Sequence, residues 1–231
     1  MQTYAVSVII PAYNEQKTIG SVIEETTQIM EALGIPYEII VIDDGSTDQT
    51  KEIAYRYKAT ILSNGKNQGK GYALRKGFQH AQGDIIVTVD ADGSHNPKEI
   101  PDLIDPLFNG ADIVAGSRFL GQNKNHTSKL HIVGNKLINM AIMILTRKKV
   151  TDSQTGMRAF KKEFLNKFGL QSRGYEIETE ITVKSLKNGF ILKETPISCE
   201  SRKYNISNLR ILSDGFQILK TILTSVAQNN H

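Results

Sequence analysis

The sequence is poor in cysteine, lacks tryptophan and contains no long hydrophobic run. Its one cysteine, Cys199, excludes an internal disulfide and a four-cysteine zinc site, and it is typical of a reducing compartment. The longest uncharged apolar run, 137–145, has nine residues, whereas a membrane-spanning helix needs about 20. The first apolar run, 5–11, is short and has no basic leader, so it does not predict a signal peptide. We therefore expect a cytoplasmic protein without a transmembrane segment.

The composition is that of an ordinary folded protein. Of its 231 residues, 39% are hydrophobic and 23% are charged, which excludes a disordered chain. A chain of this length forms one large domain or two small ones.

The two halves of the chain carry opposite net charges. Residues 1–115 contain 9 Lys and Arg against 16 Asp and Glu, a net charge of −7. Residues 116–231 contain 19 against 8, a net charge of +11. The acidic half suits a metal cation, and the basic half suits an anionic ligand such as a phosphate, a lipid headgroup or a nucleic acid. Charged residues that are simply exposed to solvent, without any ligand, would give the same net charges.

In the N-terminal half, short β-rich runs alternate with helical segments. Strands are predicted at 6–10, 37–42, 59–62, 84–89 and 111–115. Between them we expect helices at 15–33, 46–57 and 69–81, and another that starts at Asn96-Pro97. Asn14 is the expected N-cap of the first helix and Gly34 its stop, and Ser46-Thr47-Asp48-Gln49 has the form of a capping box. This alternation predicts βαβ units and an α/β fold with a mainly parallel sheet.

The second half is less regular. We expect a polar loop at 117–129, helices at 130–146, 176–187 and 209–226, and an edge strand at 190–198. In the last helix, apolar residues recur at spacings of three and four, which predicts one stripe that packs against the core, with membrane contact as the alternative. The residues of this stripe are Leu209, Leu212, Phe216, Leu219, Leu223 and Val226.

The helix at 130–146 is apolar on most of its surface and is followed by Arg147-Lys148-Lys149. One interpretation is a helix that lies on a membrane, with its basic residues near anionic lipid. The other is a helix buried in the domain or in a dimer interface.

Three of the predicted strands end in polar clusters, at 11–15, 43–46 and 90–94. Ligands of parallel sheets bind outside the carboxyl ends of the strands, and acidic clusters that meet there repel one another unless a cation lies among them. Asp90 and Asp92 follow a buried strand and can both reach one hard cation. Mg²⁺ or Mn²⁺ would fit, with waters and a diphosphate as further ligands, and Ser94 or His95 could add a contact.

The sequence contains neither a P-loop nor a dinucleotide-binding fingerprint. Asp43 follows the second strand, where an acidic side chain can accept hydrogen bonds from a base or a ribose. Gly69-Lys70-Gly71 opens a helix whose backbone N–H groups could approach a phosphate.

Five motifs stand in a fixed order along the chain. They are Val8-Ile9-Ile10-Pro11-Ala12-Tyr13-Asn14-Glu15, Val41-Ile42-Asp43-Asp44-Gly45-Ser46-Thr47-Asp48, Asn67-Gln68-Gly69-Lys70-Gly71, Asp90-Ala91-Asp92 and Gly116-Ser117-Arg118. In this order and spacing they resemble the family-2 glycosyltransferases, which have a GT-A fold, a Rossmann-like α/β/α sandwich. Two later segments, 150–158 and 174–180, resemble the branch that contains dolichyl- and polyprenyl-phosphate hexose synthases.

The resemblance implies a role for each motif. The residues around the nucleoside would be Pro11, Ala12, Tyr13, Glu15, Ile42 and Asp43. Asp90 and Asp92 would hold Mg²⁺ or Mn²⁺ against the donor diphosphate, and Ala91 would line the nucleotide. Arg118 and Arg202 would face the phosphates and, with Asp92, would be the catalytic residues.

Two positions depart from the family pattern. Relatives of the mannosyl enzymes usually carry an Arg and a Ser near 132–135, where this chain has Ile-Val-Gly-Asn. The late Ser-Lys pair of the family appears as Ser207-Asn208. One phosphate contact is therefore missing unless Lys203 or Arg210 replaces it.

Charge and reactivity bear on the acceptor. A sugar hydroxyl needs a general base, for which Asp152, Glu176 and Glu178 are candidates. A lipid phosphate is already an oxyanion, and the net charge of +11 in residues 116–231 favours it. Guanidinium groups match phosphate oxygens well. The candidate acceptor-binding residues are Arg118, Arg158, Arg202 and Lys203. For each arginine, a structural ion pair is the alternative.

We therefore expect a metal-dependent, inverting glycosyltransferase that moves a hexose from a GDP- or UDP-linked donor to a dolichyl or polyprenyl phosphate. Its catalytic domain would span 1–204, with a donor and metal half at 1–115 and an acceptor half at 116–204, followed by an amphipathic helix at 205–231. It would lie at the cytoplasmic face of a membrane and bind no nucleic acid, with a membrane-protein partner or a homodimer left open. The alternatives are transfer to a hydroxyl of a glycan or glycolipid, and nucleotide-sugar binding without catalysis.

Overall fold

Seven strands and eight α-helices make up the part of the chain that the computed structural model describes, residues 5–120, 129–199 and 211–227. The strands are Val6–Ala12 (β1), Tyr37–Asp43 (β2), Thr60–Ser63 (β3), Ile85–Thr88 (β4), Ile113–Ser117 (β5), Arg158–Lys161 (β6) and Leu192–Pro196 (β7). The helices are Ile19–Leu33 (α1), Thr50–Ala54 (α2), Lys70–His80 (α3), Ile100–Phe108 (α4), Lys129–Thr146 (α5), Lys162–Phe168 (α6), Ile177–Lys187 (α7) and Ile211–Ala227 (α8). Each helix and strand predicted from the sequence has a counterpart, with shifted ends.

The strands form one sheet in the order β3-β2-β1-β4-β6-β5-β7. β1 pairs in parallel with β2 and β4, β2 with β3, and β5 with β7. β6 runs antiparallel to both of its neighbours, β4 and β5. The α/β class with a mainly parallel sheet is confirmed, and β7 is the predicted edge strand.

The sequence does not predict β6 and α6. β6 has four residues and carries a basic residue at each end, so it shows neither the length nor the apolar run of a central strand. It is central all the same, because Arg158, Ala159 and Phe160 are buried between β4 and β5. α6 continues directly from β6.

Helices cover the sheet on both faces. On β1, Ile10 belongs to a buried cluster that includes Ile23 of α1. Its neighbour Ile9 belongs to a second cluster, which includes Leu74 of α3 and Ile177 of α7. Successive residues of a strand point to opposite faces, so this alternation identifies a strand buried on both sides and gives the expected α/β/α sandwich.

The first helix begins later than predicted. α1 starts at Ile19, whereas Asn14, the expected N-cap, has a left-handed backbone with φ 56°. The Oδ1 atom of Asn14 instead accepts a hydrogen bond from the backbone N–H of Thr47, at 2.8 Å. Gly34 ends α1 in a left-handed conformation, as predicted.

The predicted capping box is also wrong. α2 starts at Thr50 and not directly after Ser46. The Oγ atom of Ser46 accepts a hydrogen bond from the backbone N–H of Asn14, at 3.0 Å. Asn14 and Ser46 thus bind backbone N–H groups of each other's loop across the edge of the sheet instead of capping their own helices.

α8 packs with a different side from the one that the sequence predicts. Ile218 and Ile222 are buried in a cluster that includes Ile142 of α5 and Val183 of α7. Three residues of the predicted stripe are exposed, by 71%, 48% and 61% respectively: Phe216, Leu219 and Leu223. The expectation that they pack against the core is wrong, because α8 is apolar on two sides and its periodicity does not decide between them. Leu209 and the side chain of Leu212 lie outside the described residues.

α5 also exposes apolar side chains. They are Val133, Leu137, Met140, Met143, Ile144 and Leu145. Its buried side carries Asn135, Asn139 and Ile142. In the described ranges, no helix combines the length and the apolar character that crossing a membrane requires.

Candidate active site

The ends of β1 and β2 lie side by side at the carboxyl edge of the sheet. In their parallel register, Pro11 stands beside Ile42 and Ala12 beside Asp43. Ala12, Ile42 and Asp43 are buried, and Pro11 is partly buried. The six residues expected around a nucleoside are all in these strand ends or in the turn after β1: Pro11, Ala12, Tyr13, Glu15, Ile42 and Asp43.

Two carboxylates after β2 hold the neighbouring loops. Asp43 accepts hydrogen bonds from the backbone N–H of Ser46 (3.0 Å) and the hydroxyl of Ser63 (2.9 Å). Asp44 accepts hydrogen bonds from the backbone N–H groups of Gln68 (3.0 Å) and Gly69 (2.8 Å). Backbone and side-chain donors of the chain therefore already satisfy both carboxylates, and both hold neighbouring loops in place.

Asp90, Ala91 and Asp92 form the loop after β4. Asp92 is 6% exposed, and its Oδ1 accepts a hydrogen bond from the backbone N–H of Ser94 at 2.9 Å. Nδ1 of the buried His95 lies 3.7 Å from Oδ2 of Asp90. Burial lowers the pKa of His95, although the charges of Asp90 and Asp92 act to raise it.

A lysine side chain lies directly against Asp90. Nζ of Lys70 is 2.6 Å from Oδ1 of Asp90 and 2.8 Å from Oε1 of Glu178. Burial acts to lower the pKa of Lys70, but the attraction of the two carboxylates outweighs it and raises the pKa above its ordinary value. Burial raises the pKa of Glu178, against the opposing charge of Lys70. The chain itself therefore supplies a cation to this acidic cluster.

Gly156 leaves the space that this ion pair occupies. A Cβ atom at this position would lie 2.4 Å from Oδ2 of Asp90 and 2.7 Å from Nζ of Lys70. Both distances are far below a normal contact, so a larger residue would displace the pair. The sequence places Gly156 in one motif and Lys70 in another, but it does not predict that their positions meet at Asp90.

Arg118 and Asp152 form a bidentate ion pair. Nε of Arg118 lies 2.7 Å from Oδ2 of Asp152, and Nη2 lies 2.9 Å from Oδ1. Nδ2 of Asn135 donates to the same Oδ1, at 2.7 Å. Burial acts to raise the pKa of Asp152, but the hydrogen bonds and charge of Arg118 outweigh it and lower the pKa. Asn135, at a position that departs from the family pattern, thus helps to hold this carboxylate.

Arg158 lies inside the protein and not in an acceptor site. It is 1% exposed and donates hydrogen bonds to the carbonyls of Thr155 (2.9 Å) and Ser153 (2.8 Å) and to the hydroxyl of Thr182 (2.9 Å). The prediction that Arg158 binds the acceptor is wrong, because β6 carries it into the centre of the sheet. Apart from Arg118, the remaining positions considered for phosphate contacts lie outside the described residues: Arg202, Lys203, Ser207-Asn208 and Arg210.

The three acidic residues predicted as candidate bases all have partners. Asp152 binds Arg118, and Glu178 binds Lys70. Glu176 accepts hydrogen bonds from the backbone N–H groups of Arg173 and Gly174, at 3.0 and 3.1 Å. Each carboxylate therefore has a structural role already.

The loop after β4 offers a divalent cation two carboxylates and not a complete set of protein ligands. In the part of the chain that is described, no group of three or more His, Cys, Asp or Glu side chains is arranged to hold a metal. Asp90 and Asp92 fit a more open site, in which Mg²⁺ or Mn²⁺ completes its ligands with water and a diphosphate. Carboxylate oxygens are the ligands that these hard cations prefer.

A family model and the sequences of individual proteins both match this chain. The family model described as glycosyl transferase family 2 matches residues 7–169. A dolichol-phosphate mannosyltransferase of Pyrococcus furiosus is 33% identical over 186 residues, which are 78% of this chain and 52% of that protein. An undecaprenyl-phosphate 4-deoxy-4-formamido-L-arabinose transferase of Pseudomonas fluorescens is 30% identical over 233 residues, 96% of this chain and 66% of that protein. The chain thus spans about half to two thirds of the length of these two relatives.

Comparison with solved structures confirms the GT-A fold. The glucosyl-3-phosphoglycerate synthase of Mycobacterium tuberculosis, solved with Mn²⁺, uridine diphosphate and phosphoglyceric acid, superposes with a TM-score of 0.79. The match covers 98% of this chain and 80% of the other at 24% identity. At this identity the likeness shows the fold alone.

Proposed function

Because the chain belongs to glycosyltransferase family 2, we propose that it moves a hexose from a GDP- or UDP-linked donor to a dolichyl or polyprenyl phosphate. The transfer inverts the anomeric carbon and uses Mg²⁺ or Mn²⁺. Both relatives described above are named for a dolichol or undecaprenyl phosphate, which supports this class of acceptor.

The donor lies along the carboxyl edge of the sheet. Its nucleoside is surrounded by Pro11, Ala12, Tyr13, Glu15, Ile42 and Asp43. Asp90 and Asp92 hold the cation, and Ala91 lines the nucleotide. When bound, the ion stabilises the negative charge of the departing nucleoside diphosphate. Residues 1–115 thus form the donor half of a catalytic domain at 1–204, residues 116–204 form the acceptor half, and 205–231 form the C-terminal helix.

The choice of a phosphate acceptor rests on one observation, that all three candidate bases are bound to other groups of the protein. A sugar hydroxyl must lose its proton to a general base, but Asp152, Glu176 and Glu178 each bind other groups of the protein. A phosphate oxyanion can attack the anomeric carbon without such a base. Arg118, which binds Asp152 through Nε and Nη2, carries the planar guanidinium that matches phosphate oxygens. With Asp92 and Arg202, Arg118 completes the proposed catalytic set.

A lipid acceptor requires that the protein reach a membrane surface. The exposed apolar residues of α5 and α8 offer the contact, and they include Leu137, Ile144, Phe216 and Leu223. The segment 147–149 is exposed and basic, and each basic residue near anionic lipid adds about 1 kcal/mol to binding. The protein is then a peripheral enzyme at the cytoplasmic face.

An assay of the purified protein with labelled nucleotide sugars and Mn²⁺ tests this function. The acceptor is either polyprenyl phosphate in vesicles or a glycan or glycolipid with a free hydroxyl. We expect product with the lipid phosphate, and loss of at least about 100-fold in activity in Asp92→Ala, since electrostatic stabilisation of this kind contributes that much. Asp102→Ala, which removes an exposed aspartate of α4, is the matched control and should behave as wild type. Product with the hydroxyl acceptor only would reject the lipid phosphate, and donor binding without any turnover would favour a non-catalytic binding protein.

A further inference from the structure

Three glycines permit the close packing around Lys70. A Cβ atom would lie 2.4 Å from the carbonyl oxygen of Arg173 at Gly69, and 2.6 Å from that of Ser172 at Gly71. The segment 172–173 therefore packs directly on the first residues of α3, on both sides of Lys70. Gly156 leaves room from the other direction, as described above. The backbone that carries Lys70 is thus held closely against 172–173, and Gly156 leaves the space for its ammonium group.

This position places Lys70 on an oxygen that the cation would also use. Nζ of Lys70 lies 2.6 Å from Oδ1 of Asp90, which is the distance of a strong charge-assisted hydrogen bond. The side chains of Lys70, Asp90 and Glu178 are only 16%, 18% and 4% exposed, so water screens their charges weakly. A divalent ion bound by Asp90 must either displace the ammonium or accept a like charge beside it.

From this geometry we infer that Lys70 competes with the divalent cation for Asp90 and thereby couples metal binding to donor binding. The inference rests on the proposed function. In the absence of a nucleotide, Lys70 holds Asp90 and the metal binds weakly. The diphosphate of the donor brings negative charge that can draw the ammonium away from Asp90 while it stays paired with Glu178, and this releases Asp90 to the metal. By reciprocity, the metal then strengthens nucleotide binding by the same factor.

Titration with Mn²⁺ alone, followed by electron paramagnetic resonance of the free ion, measures the competition directly. We expect Lys70→Met to bind Mn²⁺ about tenfold more tightly than wild type, which corresponds to about 1.4 kcal/mol. With UDP or GDP present, the two proteins should bind Mn²⁺ with similar affinity. The factor by which nucleotide strengthens Mn²⁺ binding should therefore fall in the variant.

The double variant Lys70→Met/Glu178→Gln separates direct competition from a simple change of charge. It removes one positive and one negative charge, so the net charge of the site is unchanged, and it should still bind Mn²⁺ more tightly than wild type. It also leaves no unpaired charge at Glu178, which keeps the test usable if Lys70→Met alone does not fold. Lys184→Met is the control, because Lys184 also lies out of solvent, with a side chain 3% exposed, and pairs with Glu180 at 2.7 Å. It should bind Mn²⁺ as wild type does.

A double variant that binds Mn²⁺ no more tightly than wild type would overturn the inference, while the proposed function would stand. If wild type binds no Mn²⁺ even with nucleotide, or if Asp92→Ala binds it equally well, the metal assignment itself is wrong and the inference falls with it.

Discussion

Substitution of Gly156 by alanine probes the Asp90–Lys70 pair without touching either side chain. The new Cβ would lie 2.4 and 2.7 Å from the two carboxylate oxygens of Asp90 and 2.7 Å from Nζ of Lys70. Carbon and oxygen approach to about 3.3 Å at closest, so the carboxylate must retreat by about 0.9 Å. Asp90 is thereby moved away from the position at which it would share a cation with Asp92.

A displacement of about 1 Å in a catalytic group costs roughly 100-fold in rate, and we expect a loss of this size in glycosyl transfer and a clear weakening of Mn²⁺ binding in the presence of nucleotide. The fold should survive. The crowded atoms are ends of side chains, and the backbone of Gly156 has no positive φ, so the cost is that of moderate overpacking, about 1–3 kcal/mol.

Isothermal titration with Mn²⁺ and UDP or GDP, together with urea unfolding, measures both effects in the same protein. Gly134→Ala is the control, because a Cβ at Gly134 in α5 meets nothing within 4 Å. It should leave Mn²⁺ and nucleotide binding unchanged and stabilise the protein by about 0.5–1 kcal/mol. Unchanged metal binding in a folded Gly156→Ala protein would refute the idea that this glycine makes room for Asp90.

Three further results are expected. Asp152→Asn should lower the free energy of unfolding by about 3 kcal/mol in urea, because it leaves the partly buried Arg118 without its charge partner; a loss below about 1 kcal/mol would contradict this. Arg118 lowers the pKa of Asp152. The stabilisation from the Asp152 carboxylate is therefore complete above the ordinary pKa of an aspartate and disappears as the pH falls through the lowered value. Below about pH 4, wild type should lose more stability than Asp152→Asn, and parallel pH profiles of the two proteins would argue against the pair. Phe216→Ser/Leu223→Ser should bind anionic vesicles at least about tenfold more weakly than wild type. Tyr55→Ser, which changes a similarly exposed residue elsewhere, should bind them as wild type does. Equal binding of wild type to neutral and anionic vesicles would exclude an electrostatic contribution to membrane binding.

The edge of the sheet could be predicted from the sequence because strand-ending clusters in a parallel sheet must meet. The clusters after β1 and β2 do meet at that edge, where Pro11 stands beside Ile42 and Ala12 beside Asp43. The short strand β6 could not be predicted, because Arg158 and Lys161 give it the pattern of a surface segment. Its burial depends on hydrogen bonds to the loop at 153–155 and to α7, which only the assembled fold provides.

Side-chain partners that are distant in sequence were the hardest to predict. The motif around Lys70 indicates a helix start near a phosphate, but the ion pair with Glu178 depends on how α7 packs beside α3. The same holds for α8, where apolar residues on two sides leave the buried side undetermined until α5 and α7 cover Ile218 and Ile222.

The most direct test of the proposed chemistry is a crystal structure with Mn²⁺ and an intact nucleotide sugar, in which anomalous scattering locates the ion. We expect a single Mn²⁺ peak at bonding distance from carboxylate oxygens of Asp90 and Asp92 and from the diphosphate, with Nζ of Lys70 shifted away from Asp90. An ion bound elsewhere, or a donor bound with these two carboxylates turned away from it, would contradict the proposed metal-assisted transfer.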